Sequence, residues 1–204
     1  MLPELSTSIG VLTIVAVLAY LAGSVPFGLI VARLSGLPDP RTIGSGNIGA
    51  TNVLRTGSKQ AALATVLLDA AKGLIAVILG RAIAGEDAAQ VAALSAFLGH
   101  LFPVWLNFKG GKGVATFLGA LLGLSVFLGL FAMGAWLVAF IAFRYSSLSA
   151  LLSALATLPV AILIGLREMV ALLIVMGLIL AWKHISNIAR LRDGTEPKVS
   201  WSKK

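Results

Sequence analysis

The sequence contains no cysteine and few charged residues, and each absence excludes a class of function. Without cysteine the chain cannot form a disulfide, use a thiolate nucleophile or bind a metal or iron–sulfur cluster through sulfur. It has only eight Asp and Glu residues and two widely separated histidines, His100 and His184. We therefore expect no metal site built from protein ligands, and no cofactor.

The composition is that of a membrane protein. Of 204 residues, 58% are hydrophobic and only 12% are charged, and the mean hydropathy is +0.99. The net charge of +8 is typical of basic loops that follow the positive-inside rule and attract anionic lipids, so we expect membrane lipids and not nucleic acid as partners. Glu4, and no Lys or Arg, precedes the first apolar run, which favours a retained span over a secretory signal.

Six apolar stretches are long enough, or nearly so, to cross a bilayer. They cover residues 9–32, 61–80, 88–106, 114–143, 148–166 and 169–182. The fourth has 30 residues and would make a helix of about 45 Å, so it is either steeply tilted or two shorter helices. We predict a break near Gly123, Leu124 and Ser125, which raises the count to seven.

The charges support seven spans. With seven, the basic loops and the basic tail share one face, and only Arg81 and Arg167 lie on the other. The prediction is an all-α integral membrane protein, a seven-transmembrane-helix bundle with its N-terminus outside and its C-terminus cytoplasmic. No repeat or linker is visible, so residues 1–204 are expected to form a single membrane-embedded domain. The last helix should continue past Trp182, since Ile185 and Ile188 extend its apolar stripe.

The first glycine loop, residues 41–55, is rich in hydrogen-bond donors. Its glycines let backbone amides turn toward an anion, and an arginine adds a two-pronged grip on phosphate oxygens. An ordinary flexible loop is the alternative. The candidate residues are Gly44, Ser45, Gly46, Asn47, Thr51, Asn52 and Arg55.

The second glycine loop, residues 108–116, places two lysines among glycines immediately before a predicted helix. A point charge, exposed backbone amides and a helix N-terminus together are typical of a phosphate-binding site, although the spacing of the glycines and lysines differs from that of a Walker A loop. A basic loop that only fixes membrane orientation is the alternative. The candidates are Lys109, Gly110, Gly111, Lys112 and Gly113.

Other polar residues lie within or beside the predicted spans. Asp69 and Lys72 are one helical turn apart, where mutual pairing is favoured over catalysis. His100 is expected to be structural, bonded to a carbonyl freed by a nearby proline. His184 lies where the last helix leaves the membrane, with Asn187 on the same polar face, and could bind phosphate, move a proton or simply contact lipid headgroups.

These motifs, in this order, resemble the acyl-phosphate-dependent glycerol-3-phosphate acyltransferase family of bacterial membranes (PlsY). The resemblance runs along essentially the whole chain. It is carried by Gly23-Ser24-Val25-Pro26-Phe27-Gly28, the loop at 44–55, Asp69 with Lys72, residues 99–116, and residues 184–198.

The resemblance implies a seven-helix enzyme that moves a fatty acyl group from acyl phosphate to the 1-hydroxyl of sn-glycerol 3-phosphate. The products would be lysophosphatidic acid and inorganic phosphate. The site would face the cytoplasm from the bacterial cytoplasmic (inner) membrane. Acyl-CoA and acyl carrier protein are not expected as direct donors, because no Asp follows His100 or His184 at the His-x4-Asp spacing of enzymes that use them.

The resemblance also distributes roles. Ser45, Arg55 and His184 would be catalytic, and the remaining loop candidates with Asn187 would bind substrates. Asp69, Lys72, His100 and Glu196 would be structural. The proton acceptor is either His184 or the donor's own phosphate, which we favour, and which loop holds which phosphate stays open. The alternatives are a small transporter of phosphorylated solutes and a non-catalytic membrane subunit.

Overall fold

The computed structural model describes residues 6–199. All regular secondary structure in this range is helical, in ten α-helices and three short 3₁₀ turns, which confirms the predicted all-α class. The chain divides at Val126 into two compact units, described here as residues 6–126 and residues 127–199.

Within residues 6–199, five helical segments are long and apolar enough to cross a membrane. They are Ile9–Leu34, Lys59–Ala84, Glu86–Leu106, Val126–Phe143 and Ser146–Leu163. A sixth candidate is the pair Arg167–Lys183 and Ile185–Arg192, if the two helices are counted as one span despite a bend of 62° between them. The chain is therefore a multi-pass membrane protein.

The first unit contains six α-helices in its described part. They are α1 (Ile9–Gly23), α2 (Phe27–Leu34), α3 (Ala50–Leu54), α4 (Lys59–Ala84), α5 (Glu86–Leu101) and α6 (Val114–Leu124). The first apolar run, predicted as one uninterrupted span, is broken at residues 24–26. Pro26 has no amide hydrogen and so cannot continue the α1 hydrogen-bond ladder. At this break the Val25 carbonyl oxygen accepts hydrogen bonds from the Phe27 amide at 3.1 Å and from Lys72 Nζ at 2.9 Å.

Helices α4 and α5 form an antiparallel pair joined at Gly85. Gly80 packs against Ala88 near the connection, and Asp69 approaches His100 at the other end of the pair. With 26 residues, α4 is much longer than α5, which has 16. The end of α5 therefore meets α4 about ten residues, or about 15 Å, after α4 begins at Lys59.

Helix α6 packs on α4 through small residues. The Cα of Gly119 lies against the Ala70 backbone, and that of Gly73 against Thr116, so a side chain on either glycine would overlap the neighbouring helix. Such close approach of small residues is typical of helix contacts in membranes. With only 11 residues, α6 covers the same half of α4 as α5 does.

The predicted break in the fourth apolar stretch is confirmed. Helix α6 ends at Leu124 and α7 begins at Val126. The guanidinium of Arg81 donates to the carbonyl oxygens of Gly123 and Leu124, at 2.6 and 3.1 Å, and pairs with Glu86 at 2.8 Å. The last carbonyls of α6 are thereby satisfied, which allows the helix to end there.

The second unit contains α7 (Val126–Phe143), α8 (Ser146–Leu163), α9 (Val170–Lys183) and α10 (Ile185–Arg192). Helices α7 and α8 are joined by a 2.7 Å hydrogen bond from Ser153 Oγ to the Ala132 carbonyl. The chain after α10 returns to the α7–α8 corner, where the Val199 amide donates to the Arg144 carbonyl at 2.9 Å. The predicted continuation of the last helix is confirmed, with a bend at His184.

Candidate functional site

The first glycine loop is organised around the buried side chain of Asn52. Gly44 and Gly46 have φ angles of +54° and +66°, the left-handed region that glycine adopts without strain. The Asn52 side chain is largely inaccessible, the residue being only 2% exposed. Its amide nitrogen donates to three backbone carbonyls of the same loop, those of Pro40, Ile43 and Asn47. Asn52 thus sets the shape of the loop, and the predicted contact between Asn52 and a substrate stays a prediction.

The acceptor end of Asn52 gathers two of the predicted site residues. Its Oδ1 accepts a hydrogen bond from the Ser45 amide at 3.2 Å and another from Arg55 Nη1 at 3.1 Å. The Arg55 side chain runs across Gly44 so closely that a Cβ there would overlap it. Gly44, Ser45 and Arg55 are all exposed, so the loop offers a hydroxyl, a guanidinium and a turned backbone to solvent at one point.

Apolar contacts hold the first glycine loop against α2 and α4. Ile48 and Val53 are buried, and the Ile48 carbonyl lies against Gly28 of α2 with no room for a side chain. Val53 packs in a cluster with Val31 of α2 and Ala61 of α4. At its start, Asp39 pairs with Arg41 at 2.6 Å, and this hydrogen bonding lowers the pKa of Asp39 below its ordinary value. The loop is therefore a docked structure and not a loose linker.

The second glycine loop is bound to the end of α5. The amides of Gly110 and Gly111 donate to the carbonyls of Leu101 and His100, at 3.2 and 3.1 Å. Gly111 lies directly against the His100 ring, where a Cβ would overlap Nε2. Gly113, with a φ of +81°, is the residue before α6. These contacts explain why glycines occupy the loop, and they leave Lys109 exposed and Lys112 half-buried.

Both loops belong to the same end of the α4–α5 pair. The first loop leads into α4, and the second leaves α5, which runs antiparallel to α4. The predicted placement of these two loops at one end is therefore found within the first unit.

A buried charged cluster lies between the two loops. Lys72 Nζ is 2.7 Å from Asp69 Oδ1, and His100 Nδ1 is 3.4 Å from the same oxygen. The predicted pairing of Asp69 with Lys72 is confirmed. The contact of His100 with Asp69 was not predicted, although the proline and glycine pair that follow His100 were a signal that its ring has close neighbours.

His184 lies at the bend between α9 and α10 in the second unit. Its Nδ1 is 2.8 Å from the Leu180 carbonyl oxygen. A carbonyl can only accept, so Nδ1 carries the hydrogen and Nε2 is the acceptor nitrogen of the neutral ring. In its neutral form, His184 can therefore accept a proton at Nε2.

Glu196 ties together the C-terminal part of the second unit. Its carboxylate accepts hydrogen bonds from Ser147 Oγ and Asn187 Nδ2, both 2.6 Å long, and from Arg190 Nε at 2.7 Å. Partial burial opposes ionisation, but these three donors outweigh it and hold the pKa of Glu196 below its ordinary value. Asn187 is 5% exposed and is oriented by this carboxylate.

The comparisons with known proteins agree along nearly the whole chain. The model of the family described as glycerol-3-phosphate acyltransferase matches residues 13–194. A glycerol-3-phosphate acyltransferase of Dinoroseobacter shibae is 56% identical over 203 residues, covering 100% of both chains. One of Jannaschia sp. is 54% identical over 199 residues, covering 98% of each.

Two solved structures have the same fold. Both are crystal structures of PlsY (YgiH), an integral membrane glycerol 3-phosphate acyltransferase. The glycerol 3-phosphate form has a TM-score of 0.88 and 35% identity, and covers 93% of this chain and 96% of that chain. The lysophosphatidic acid form has a TM-score of 0.86 and 34% identity, and covers 93% and 95%.

Proposed function

The chain belongs to the glycerol-3-phosphate acyltransferase family, and from that premise we propose that it acylates the 1-hydroxyl of sn-glycerol 3-phosphate with acyl phosphate as the donor. The products are lysophosphatidic acid and inorganic phosphate. The donor follows from the likeness to PlsY and from the sequence motifs. The alternative of a transporter for phosphorylated solutes has no support among the relatives.

One observation carries the proposal: two amide-rich, cationic glycine loops lie at the same end of one antiparallel helix pair. The reaction brings together two phosphorylated reactants, so it needs two anion sites close to each other. An acyl phosphate is already activated and requires neither a thiol nor a metal. Orientation and charge stabilisation can then account for much of the rate enhancement.

The first loop is the proposed site of the acyl-phosphate head. Gly44, Ser45, Gly46 and Asn47 surround its phosphate with amides and a hydroxyl. Arg55, Lys112, His184 and Asn187 bind the phosphate of glycerol 3-phosphate and aim its hydroxyl at the carbonyl carbon. The oxygen of that hydroxyl bonds to the carbonyl carbon, the bond from this carbon to the phosphate oxygen breaks, and inorganic phosphate leaves.

The donor's phosphate is the proposed proton acceptor. It is attached to the reacting carbonyl, and the second pKa of such a phosphate group is about 6, close to neutrality. His184 is the other candidate, because its Nε2 is the acceptor nitrogen when Nδ1 donates to Leu180.

Seven spans remain our proposal for the topology, with one domain over residues 1–204, the N-terminus outside and the site facing the cytoplasm of a bacterial inner membrane. The six candidate spans and the short helix α6 together make up that count. Because the chain has no native cysteine, Ser45→Cys and Ser186→Cys, two exposed positions of which the second lies beside buried His184, can each be labelled alone with an impermeant thiol reagent. Labelling of the two from opposite sides of the membrane would refute a shared site.

The decisive experiment adds purified protein to acyl phosphate and glycerol 3-phosphate and follows phosphate release together with lysophosphatidic acid. Acyl-CoA and acyl carrier protein replace acyl phosphate in parallel reactions. We expect equal amounts of both products with acyl phosphate, and none with the other donors. Product formation from acyl-CoA alone would refute the proposed donor, and no product from any donor would refute the activity.

A further inference from the structure

Three ionisable side chains that the proposed chemistry does not use are buried together in the first unit. The side chains of Asp69, Lys72 and His100 are 3–4% exposed. Burial of charges costs several kcal/mol per ion in general, and well-packed apolar residues often serve stability as well or better. Helix packing alone therefore does not explain this cluster.

The cluster touches the supports of both glycine loops. Lys72 Nζ donates to the Val25 carbonyl at 2.9 Å, at the start of α2, and α2 carries the first loop against Gly28. His100 accepts the Gly111 amide on its carbonyl, and its ring fills the space beside the Gly111 Cα. Asp69 lies between Lys72 and His100 and contacts both through one oxygen.

We infer that Asp69, Lys72 and His100 form a positioning network that holds the second glycine loop in the geometry required to bind the phosphate of glycerol 3-phosphate. This inference rests on the proposed function, in which Lys112 of that loop contacts the phosphate. Asp69 fixes the plane of the His100 ring, and the ring fixes Gly111. Lys72 in turn holds Asp69 in place. A group locked by packing and by a second layer of hydrogen bonds needs no reorganisation when the substrate binds.

The test is Asp69→Asn, which preserves size and removes the charge that orders Lys72 and His100. We expect the KM for glycerol 3-phosphate to rise about tenfold, less than the roughly 100-fold effect of a 1 Å misplacement. The KM for acyl phosphate and the kcat per folded enzyme should stay within about twofold of wild type. A role in stability alone would lower the folded fraction and leave both KM values unchanged.

A matched control and a second variant complete the design. Gln90 is equally buried and belongs to the same helix as His100, but lies toward its other end, so Gln90→Leu should leave both KM values unchanged. Asp69→Asn leaves Lys72 charged without its partner, so the double variant Asp69→Asn/Lys72→Gln is made alongside it. The double variant should show the same selective rise in KM.

The outcomes distinguish failure of the positioning network from failure of the proposed acyltransferase activity. A folded variant with an unchanged KM for glycerol 3-phosphate overturns the positioning network, and so does failure of both variants to fold, because the cluster would then serve folding. An equal rise in both KM values also overturns it. If wild type forms no lysophosphatidic acid from acyl phosphate, the proposed function fails instead.

Discussion

The substitution Asn52→Asp tests whether the first glycine loop depends on one side chain. Aspartate retains the acceptor for the Ser45 amide and Arg55, but it loses the two amide hydrogens that serve three carbonyls. A buried acceptor left without its donor costs about 1–3 kcal/mol, so two lost bonds cost about 2–6 kcal/mol. Arg55 is exposed, so the ion pair that it gains with the carboxylate offsets only about 0–1 kcal/mol of this. The net estimate is about 3 kcal/mol.

This penalty is expected to open the loop locally, because Gly44, Ser45 and Gly46 are already exposed while α2 and α4 keep their own contacts. A cost of about 3 kcal/mol lowers the ratio of competent to open loops about 100-fold, and kcat/KM should fall by up to about the same factor. Phosphate release measures the activity. Trypsin cleavage after Arg41 and Arg55 should become faster, while the thermal midpoint changes little.

The matched control is Thr56→Val, which removes a single side-chain hydrogen bond, from Thr56 Oγ1 to the Val53 carbonyl, in the same segment. We expect this variant to stay within about fivefold of wild type, since one such bond contributes about 1 kcal/mol or less. Wild-type kcat/KM in Asn52→Asp, or a large loss with no change in cleavage, would refute a scaffold role for Asn52.

Three further predictions follow from the site. Ser45→Ala or Arg55→Ala should nearly abolish turnover. Lys112→Ala should instead raise the KM for glycerol 3-phosphate about tenfold and leave kcat nearly unchanged. Wild-type rates in all three folded variants would reject the site. His184→Gln should retain substantial kcat if the donor's phosphate takes the proton, and a loss above about 1,000-fold would make His184 the base. Because the pKa of Glu196 is lowered in the folded state, its ionised carboxylate stabilises the fold at pH values above the ordinary carboxyl pKa. This stabilisation is lost as the pH falls through the lowered pKa of the folded state. The thermal midpoint of Glu196→Gln should therefore fall less than that of wild type between pH 7 and pH 3, and equal losses would contradict this.

Much of the helical architecture could be predicted because bilayer thickness constrains the length of an apolar run. The run at residues 114–143 was too long for one span, and the charge distribution indicated a break where α6 and α7 meet at Ser125. The interruption at residues 24–26 was missed, although Pro26 was visible. A count of apolar residues does not detect a missing amide hydrogen, and the hydrogen bond from Lys72 to the Val25 carbonyl joins residues that are far apart in the sequence.

The site was predictable in its residue types and less so in its contacts. Glycine, serine and arginine at residues 44–55 indicated anion binding, and the structure shows a docked loop with Ser45 and Arg55 exposed. Asn52 was predicted as a ligand, because sequence cannot tell an amide that faces a substrate from one that faces its own backbone. His100 was predicted to bond a freed carbonyl, and its approach to Asp69 depends on how α4 and α5 pack.

The unequal lengths of α4 and α5 have a consequence for how reactants meet. The second glycine loop leaves α5 beside Asp69, about 15 Å along α4 from Lys59, so this loop is set back from the end at which α4 begins. In the proposed reaction the water-soluble acceptor has to descend to that depth, while an acyl donor can keep its hydrocarbon tail among the lipids. If acyl transfer takes place at the depth of this loop, the enzyme does not have to extract the donor or the single-chain product from the membrane into water.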